Sequence, residues 1–243
     1  MADPTVHLWR LGLKPAQLAR IAKEQNIRIH DDEDHGYTIH ALLCGLFGMA
    51  QAPKPWRLDT QRSVLWAYAP QPLDATAAAL ADPLYHAAID WERSASRQAP
   101  VLASGTTVAF DLRACPVVRR GGRGDQRASE HDALLWQAQR DGVAVGTLDP
   151  ALVYADWLRQ RAWTTAQGAD LGQVTVVGWS KPAMQAASTW RGRGDGRLRL
   201  PDAHFSGILT ITDSEAFLPT LARGIGRHRA FGYGMLLLRP VSA

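Results

Sequence analysis

The chain has 243 residues, of which 46% are hydrophobic, and a formal net charge of +4. That length suits one large domain or two of about 100–120 residues each, with enough apolar material for a packed core. No apolar run approaches the ~20 residues of a membrane span and the N-terminus lacks a signal-peptide core, so a cytoplasmic protein with no membrane partner is expected.

In chain order, Val6–Leu11 reads as a strand, and Pro15–Gln25 as a helix with Pro15 in its first turn. The acidic run Asp31–Asp34 reads as a solvated loop. Tyr37–Phe47 has the clearest helical pattern of the N-terminal half, with Ile39, Leu42, Leu43 and Leu46 at i, i+3, i+4, i+7 and Gly48 as the stop. A proline-punctuated loop, Ala52–Pro55, leads to a strand at Ser63–Tyr68, and Asp74 is placed to cap a helix reaching Leu80. The polar stretch Arg93–Ala103 reads as turn-like, which puts a boundary between Asp90 and Gly105.

Thr106–Cys115 alternates Val108, Phe110, Leu112 and Ala114 on one face, a strand signal. Glu130–Arg140 and Ala151–Trp163 have helical composition, the second with Leu152, Trp157 and Leu158 as buried candidates. Val174–Trp179 and Phe205–Ile211 read as strands, Glu215–Ala222 as a helix capped by Asp213 or Ser214 and stopped by Gly224, and Met235–Arg239 as a last strand. This order predicts an α+β protein of two halves, residues 1–100 and 101–243, each resembling a ferredoxin-like (RRM-like) βαββαβ unit.

Charge is unevenly spread: the net is −2 over residues 1–112, +1 over 113–180 and +5 over 181–243. Only Lys14, Lys23, Lys54 and Lys181 are lysines, so arginine dominates, and its planar fork suits phosphate and base stacking. A basic C-terminal part is what a polyanion partner requires. Candidate RNA contacts are Arg113, Arg119, Arg120, Arg123 and Arg127 in one basic segment, and Trp190, Arg191, Arg193 and Arg197 in a second. The run Gly224–Gly234 adds Gly224, Gly226, Arg227, His228, Arg229, Gly232 and Gly234, with Phe231 and Tyr233 as flat faces. Its glycines permit positive φ and close approach, and its cations and rings suit a phosphate backbone with bases beside it. A glycine-rich turn between helix and strand would share this composition.

Cys44 and Cys115 have no metal-ligand spacing, and no phosphate loop, nucleophile elbow or HExxH helix is present, so neither a metal nor a cofactor is expected. Among histidines, His35 and His204 read as exposed. His40 lies at the edge of the apolar stripe of its helix, about 100° from Ile39, with Tyr37 one turn away on the same side. On the residues alone, a structural role for Tyr37 and His40 outweighs a catalytic one, because such a pair at i, i+3 is common and a half-buried histidine is more often structural.

Two stretches carry a resemblance. Val108-Ala-Phe-Asp-Leu-Arg-Ala-Cys-Pro116 with the arginine run after it, and Phe205 to Pro240 with the glycine-rich loop, resemble the CasE-like repeat-cleaving endoribonucleases of CRISPR systems, a branch of the RAMP superfamily. The resemblance covers residues 106–116 and the chain from Phe205 onward. Tyr37-Thr-Ile-His40 matches that family's Tyr-x-x-His catalytic motif, although an extra segment, Pro15–Gln25 plus the acidic run, separates it from the first strand. The resemblance implies tandem ferredoxin-like domains, binding of a CRISPR repeat hairpin, and cleavage without metal at its 3′ base to give guide RNA (crRNA) with a 2′,3′-cyclic phosphate. It also implies partnership with other subunits of a CRISPR effector complex. Tyr37 and His40 would be the catalytic pair, with Arg57 or Arg10 as charge-offsetting candidates. A non-catalytic guide-holding subunit and an unrelated RNA-binding protein are the alternative readings.

Overall fold

The computed structural model describes residues 5–27, 35–78, 81–120, 129–180, 183–185 and 197–241. The first half contains β1 (His7–Leu13), α1 (Pro15–Glu24), α2 (Gly36–Phe47), β2 (Trp56–Asp59), β3 (Val64–Ala69), the short turns α3 (Ala75–Ala78) and α4 (Pro83–His86), and β4 (Ile89–Gln98). Its strands pair antiparallel in the order β2-β3-β1-β4. Helices follow the first and third strands, so this is a ferredoxin-like βαββαβ unit.

The second half contains β5 (Thr107–Ala114), the hairpin β6 (Val117–Arg120) and β7 (Ser129–Asp132), α5 (Ala133–Asp141), α6 (Pro150–Trp157) and β8 (Ala169–Ser180). There follow β9 (Ala183–Gln185), β10 (Arg197–Arg199), β11 (Asp202–Ile211), α7 (Ser214–Arg223) and β12 (Leu236–Pro240). Its main sheet has the order β12-β5-β11-β8. That repeats the same topology, with β6–β7 and β9–β10 as inserted hairpins.

Strand alternation decides which side chains reach each core. Trp9, Leu11 and Leu13 of β1 meet Ile39, Leu42, Leu43 and Leu46 of α2, together with Trp56 and Leu65. Phe110, Leu112 and Ala114 of β5 meet Phe205 and Leu209 of β11, Trp157 and Leu158, and Phe217 and Leu221 of α7. Val6, Tyr68 and Ala99 from the first half join this second core, and the Tyr68 hydroxyl donates to the Leu236 carbonyl at 3.0 Å.

Three readings of the sequence are corrected and one strand is added. Residues 129–132 are a strand paired with β6, and α5 begins only at Ala133, because the Asp132 carboxylate accepts from Leu134 N at 2.8 Å and caps it there. Arg93–Gln98 belongs to β4, an edge strand whose exposed polar side chains hide its periodicity. Trp56–Asp59, between the expected loop and strand, is an edge strand too short to show alternation. Leu152 is exposed, while Tyr154 and Trp157 carry the buried face of α6 and a π-type turn, Leu158–Ala162, ends the helical run.

Candidate RNA-processing site

Helix α2 is anchored by its apolar stripe, which leaves Tyr37 and His40 half-buried at the rim of the first domain. Their rings meet edge to face with centroids 6.4 Å apart. One turn further on, Cys44 Sγ lies 3.7 Å from His40 Nδ1 and 3.8 Å from Nε2. Burial pushes the His40 pKa below the ordinary histidine value, and the positive charge of Lys54 pushes it the same way. His40 is therefore held as neutral imidazole near pH 7, the form that can accept a proton. Burial also raises the Cys44 thiol, against a smaller opposite effect of Lys54, so Cys44 stays a neutral neighbour.

The glycine-rich loop arrives at this pair from the far end of the chain. It is closed at its neck, where Ile225 N donates to Gly234 O at 2.9 Å and Gly234 N donates to Arg113 O at 2.7 Å. At Gly234, φ is +82° and a Cβ would stand 2.5 Å from the Ile225 carbonyl, so only glycine fits. Gly232 lies flat on Trp56, where a Cβ would come within 2.7 Å of the indole ring. Trp56 Nε1 also donates to Ala230 O at 3.0 Å, fastening the loop to the first domain. Gly232 and Gly234, expected at the RNA surface, are buried and shape the loop instead. The loop's one helical turn, Arg229–Phe231, sets Phe231 beside both candidates, 5.0 Å from the His40 ring and stacked at 6.3 Å on Tyr37.

The loop's cations collect around one carboxylate. His228, in a left-handed conformation with φ +58°, donates from Nε2 to Glu130 Oε2 at 2.7 Å, and the Arg227 guanidinium pairs with the other oxygen of Glu130. The hydrogen bond from His228 is the main reason that Glu130 sits below its ordinary carboxylate pKa, with Arg227 adding to it against the effect of burial. Arg119 is the register partner of Glu130 across β6–β7, so both side chains leave the same face of the hairpin. The fold thus gathers Arg119, Arg227 and His228 in one place and Tyr37, His40 and Phe231 in a second, joined by the same loop. Arg229 turns back to bond the Arg223 carbonyl. Gly224, with φ +68°, ends α7, and Gly226 faces the Trp157 ring. Arg123, Arg127, Trp190, Arg191 and Arg193 lie outside the described residues, as does the acidic run; of Arg120 and Arg197 only the strand positions are described.

Arg113 is corrected. Its Nε bonds both Asp202 oxygens at 3.0 Å and its Nη2 bonds Oδ2 at 2.6 Å, while its guanidinium lies 4.6 Å over the buried Tyr233 ring. It is a structural ion pair rather than a surface cation. The charge-offsetting candidates are corrected as well. Trp9 and Trp56 point into the α2 core, so their neighbours Arg10 and Arg57 leave the opposite face of the sheet, away from His40. Arg10 donates to the Arg93 carbonyl at 2.7 Å. Arg57 crosses to the second domain, 3.2 Å from Asp111 and donating to His204 Nδ1 at 3.3 Å. A guanidinium can only donate, so His204 must accept at Nδ1 and carry its proton on Nε2, facing Asp202 at 3.7 Å. Burial lowers the His204 pKa and Arg57 lowers it further, so this histidine, read as a surface residue, is a neutral member of an interdomain network. Burial likewise pulls Arg57 below its ordinary value.

Lys54 is a cation whose charge reaches His40. Trp56 and Glu130 gave no signal as site residues because their roles depend on partners far away in sequence. Among the described residues, no three His, Cys, Asp or Glu side chains converge as a metal-binding group, and no helix is long and apolar enough to cross a membrane.

The family model described as "CRISPR associated protein" matches residues 6–240. A comparison with curated proteins gives no match. Among solved structures, a CRISPR endoribonuclease Cse3 bound to a 19-nucleotide RNA is 21% identical with TM-score 0.65, covering 97% of this chain and 100% of its own. The Cas6e protein from Escherichia coli K-12 is 18% identical with TM-score 0.56, again covering 97% and 100%. A chain of a CRISPR RNA-guided surveillance complex in a pre-nicking state is 19% identical with TM-score 0.54 over the same shares. At these identities the structural likeness speaks for the fold, and the tandem ferredoxin-like topology read from the strand orders agrees with it. The family match over nearly the whole length makes this chain a member of the CRISPR-associated protein family.

Proposed function

We propose that the protein is a metal-independent endoribonuclease that binds the hairpin of a CRISPR repeat RNA and cuts at its 3′ base. The observation that carries this reading is His40, packed between Tyr37 and a ring of the glycine-rich loop and held neutral by burial and the charge of Lys54. A related fold bound to RNA in a CRISPR endoribonuclease, and another within an RNA-guided surveillance complex, support the substrate class and a partnership with other effector subunits. In the proposed division of labour, residues 1–100 supply the chemistry and residues 101–243 hold the hairpin, with Arg119, Arg227 and His228 at the phosphates.

In the proposed reaction His40 removes the proton of the 2′-hydroxyl, and that oxygen attacks the adjacent phosphorus. The Tyr37 hydroxyl hydrogen-bonds the scissile phosphate and the Lys54 ammonium offsets its growing charge. The bond to the 5′-oxygen breaks, the leaving oxygen takes a proton from solvent, and a 2′,3′-cyclic phosphate remains. Base, hydrogen-bond donor and cation are all side chains of this protein. Incubation of the repeat RNA with the protein in EDTA is therefore expected to give one cut beneath the hairpin, with a cyclic phosphate on the upstream product. Tight hairpin binding without any cut would instead identify a guide-holding subunit.

The lowered pKa of His40 gives a pH prediction. The neutral, active form persists above its pKa and is lost as pH falls through it. Lys54→Met removes one of the two causes of the lowering, so the acidic limb of single-turnover cleavage should move to higher pH. The scissile phosphate raises His40 in both proteins and leaves the direction of the difference unchanged. An acidic limb that stays in place or moves to lower pH would remove Lys54 from the neighbourhood of the base.

A further inference from the structure

Phe231 belongs to a loop that starts 184 positions after His40 and closes just ahead of the last strand, yet it makes the nearest ring contact to the imidazole, at 5.0 Å and tilted 52°. It also stacks on Tyr37 at 6.3 Å with the planes 13° apart. With the Tyr37–His40 edge contact, three rings form a closed triangle across the domain boundary. The loop does not leave Phe231 loose. Its own N–H donates to the His228 carbonyl at 2.8 Å, its neighbour Ala230 accepts from Trp56, and Gly232 on its other side lies against the same indole. The remaining side of its ring packs on the buried cluster of Cys115, Val117, Leu200 and Tyr233.

We propose that Phe231 is a positioning residue for the cleavage reaction, fixing the orientation of the His40 ring at the 2′-hydroxyl. The inference rests on the reading of His40 as the base. An imidazole at the rim of a helix has several rotamers open to it, and only one directs a nitrogen at a given oxygen. A wedge held by hydrogen bonds from both domains removes the alternatives. Among the described residues, the titratable groups that act on His40 are Tyr37 and Cys44 on its own helix and, through its charge, Lys54 before β2, while the turn carrying Phe231 adds Arg229, whose guanidinium is turned to Arg223. Phe231 itself has no charge, so its influence on the imidazole is through contact and exclusion of water.

Phe231→Leu keeps apolar bulk against the Tyr233 cluster, removes the ring and guards against unfolding in the truncated Phe231→Ala. Both variants should cut about tenfold more slowly at saturating repeat hairpin, the equivalent of two aromatic contacts, with hairpin affinity unchanged. Phe231→Tyr, which restores a ring, should recover the rate. Independently of activity, the His40 ring followed by NMR in the RNA-free protein should titrate at higher pH in Phe231→Leu, because water regains access to it. Wild-type rate and wild-type titration in Phe231→Leu would overturn the proposal, as would a loss of hairpin affinity with the rate at saturation intact. A His40→Ala protein that still cuts would sink the catalytic reading instead, and the NMR titration would still report on the contact.

Discussion

Replacing His40 by alanine is expected to slow cleavage of the repeat hairpin by about 10²–10⁴-fold, the usual worth of a positioned acid–base group, while hairpin binding stays intact. The separation of the two effects follows from the architecture. Binding is assigned to the second domain's hairpin and glycine-rich loop, whose cations Arg119, Arg227 and His228 do not touch His40. The helix itself survives the change, because Ile39, Leu42, Leu43 and Leu46 are each buried and each contributes about 1.5–3 kcal/mol. His40 is only half-buried, and alanine is a better helix former than histidine. Single-turnover cleavage with a parallel binding titration measures both quantities. Tyr37→Phe should lose less, since it removes one hydrogen bond and leaves the base in place. Equal cutting by wild type and His40→Ala would leave the family assignment standing and move the chemistry to another residue.

Asp202→Asn is expected to destabilise the protein by about 3 kcal/mol, seen as a lower urea midpoint with an unchanged slope. Asp202 is 5% exposed and takes three hydrogen bonds from Arg113, with His204 and Arg57 close behind. Without its charge, the Arg113 guanidinium loses the carboxylate that all three of those bonds reach, in a site where both side chains are largely withdrawn from water. Breaking one side of a buried ion pair costs more than the pair contributed, because the desolvation of the remaining charge is no longer offset by the opposite one. The double replacement Arg113→Met with Asp202→Leu should therefore be less damaging than Asp202→Asn alone. If the double variant proves worse, the pair is a net source of stability and the burial argument fails.

The amphipathic pattern of 37–47 identified the helix and its core face, and with them the rim positions of Tyr37 and His40. Alternation over 106–115 and 205–211 located the two central strands of the second sheet. These readings held because each depends on a local period that one buried face imposes. Where burial is one-sided or slight, the period vanishes: the end of β4 reads as a polar turn and β2 gives no strand signal. The helix expected at 130–140 is present from Ala133, and only its start was misplaced, since helical composition cannot reveal that Asp132 caps at one particular residue and that the preceding residues pair with β6.

Residue chemistry in the sequence determined a basic, arginine-rich C-terminal part, a glycine-rich loop with rings and cations, and a tyrosine–histidine pair one helical turn apart. The tertiary structure alone decided which of these meet. It took Arg113 from the RNA contacts, Arg57 from the catalytic candidates and His204 from the surface, and joined them with Asp111 and Asp202 in one network between the domains. It brought the charge of Lys54 to bear on His40 and set Glu130 between Arg227 and His228 and Phe231 against the candidate base. Local sequence fixes which face of an element is apolar. Which charge finds a partner is settled only when the two sheets pack, because pairing in a low-dielectric interior depends on distances of a few ångströms between residues remote along the chain.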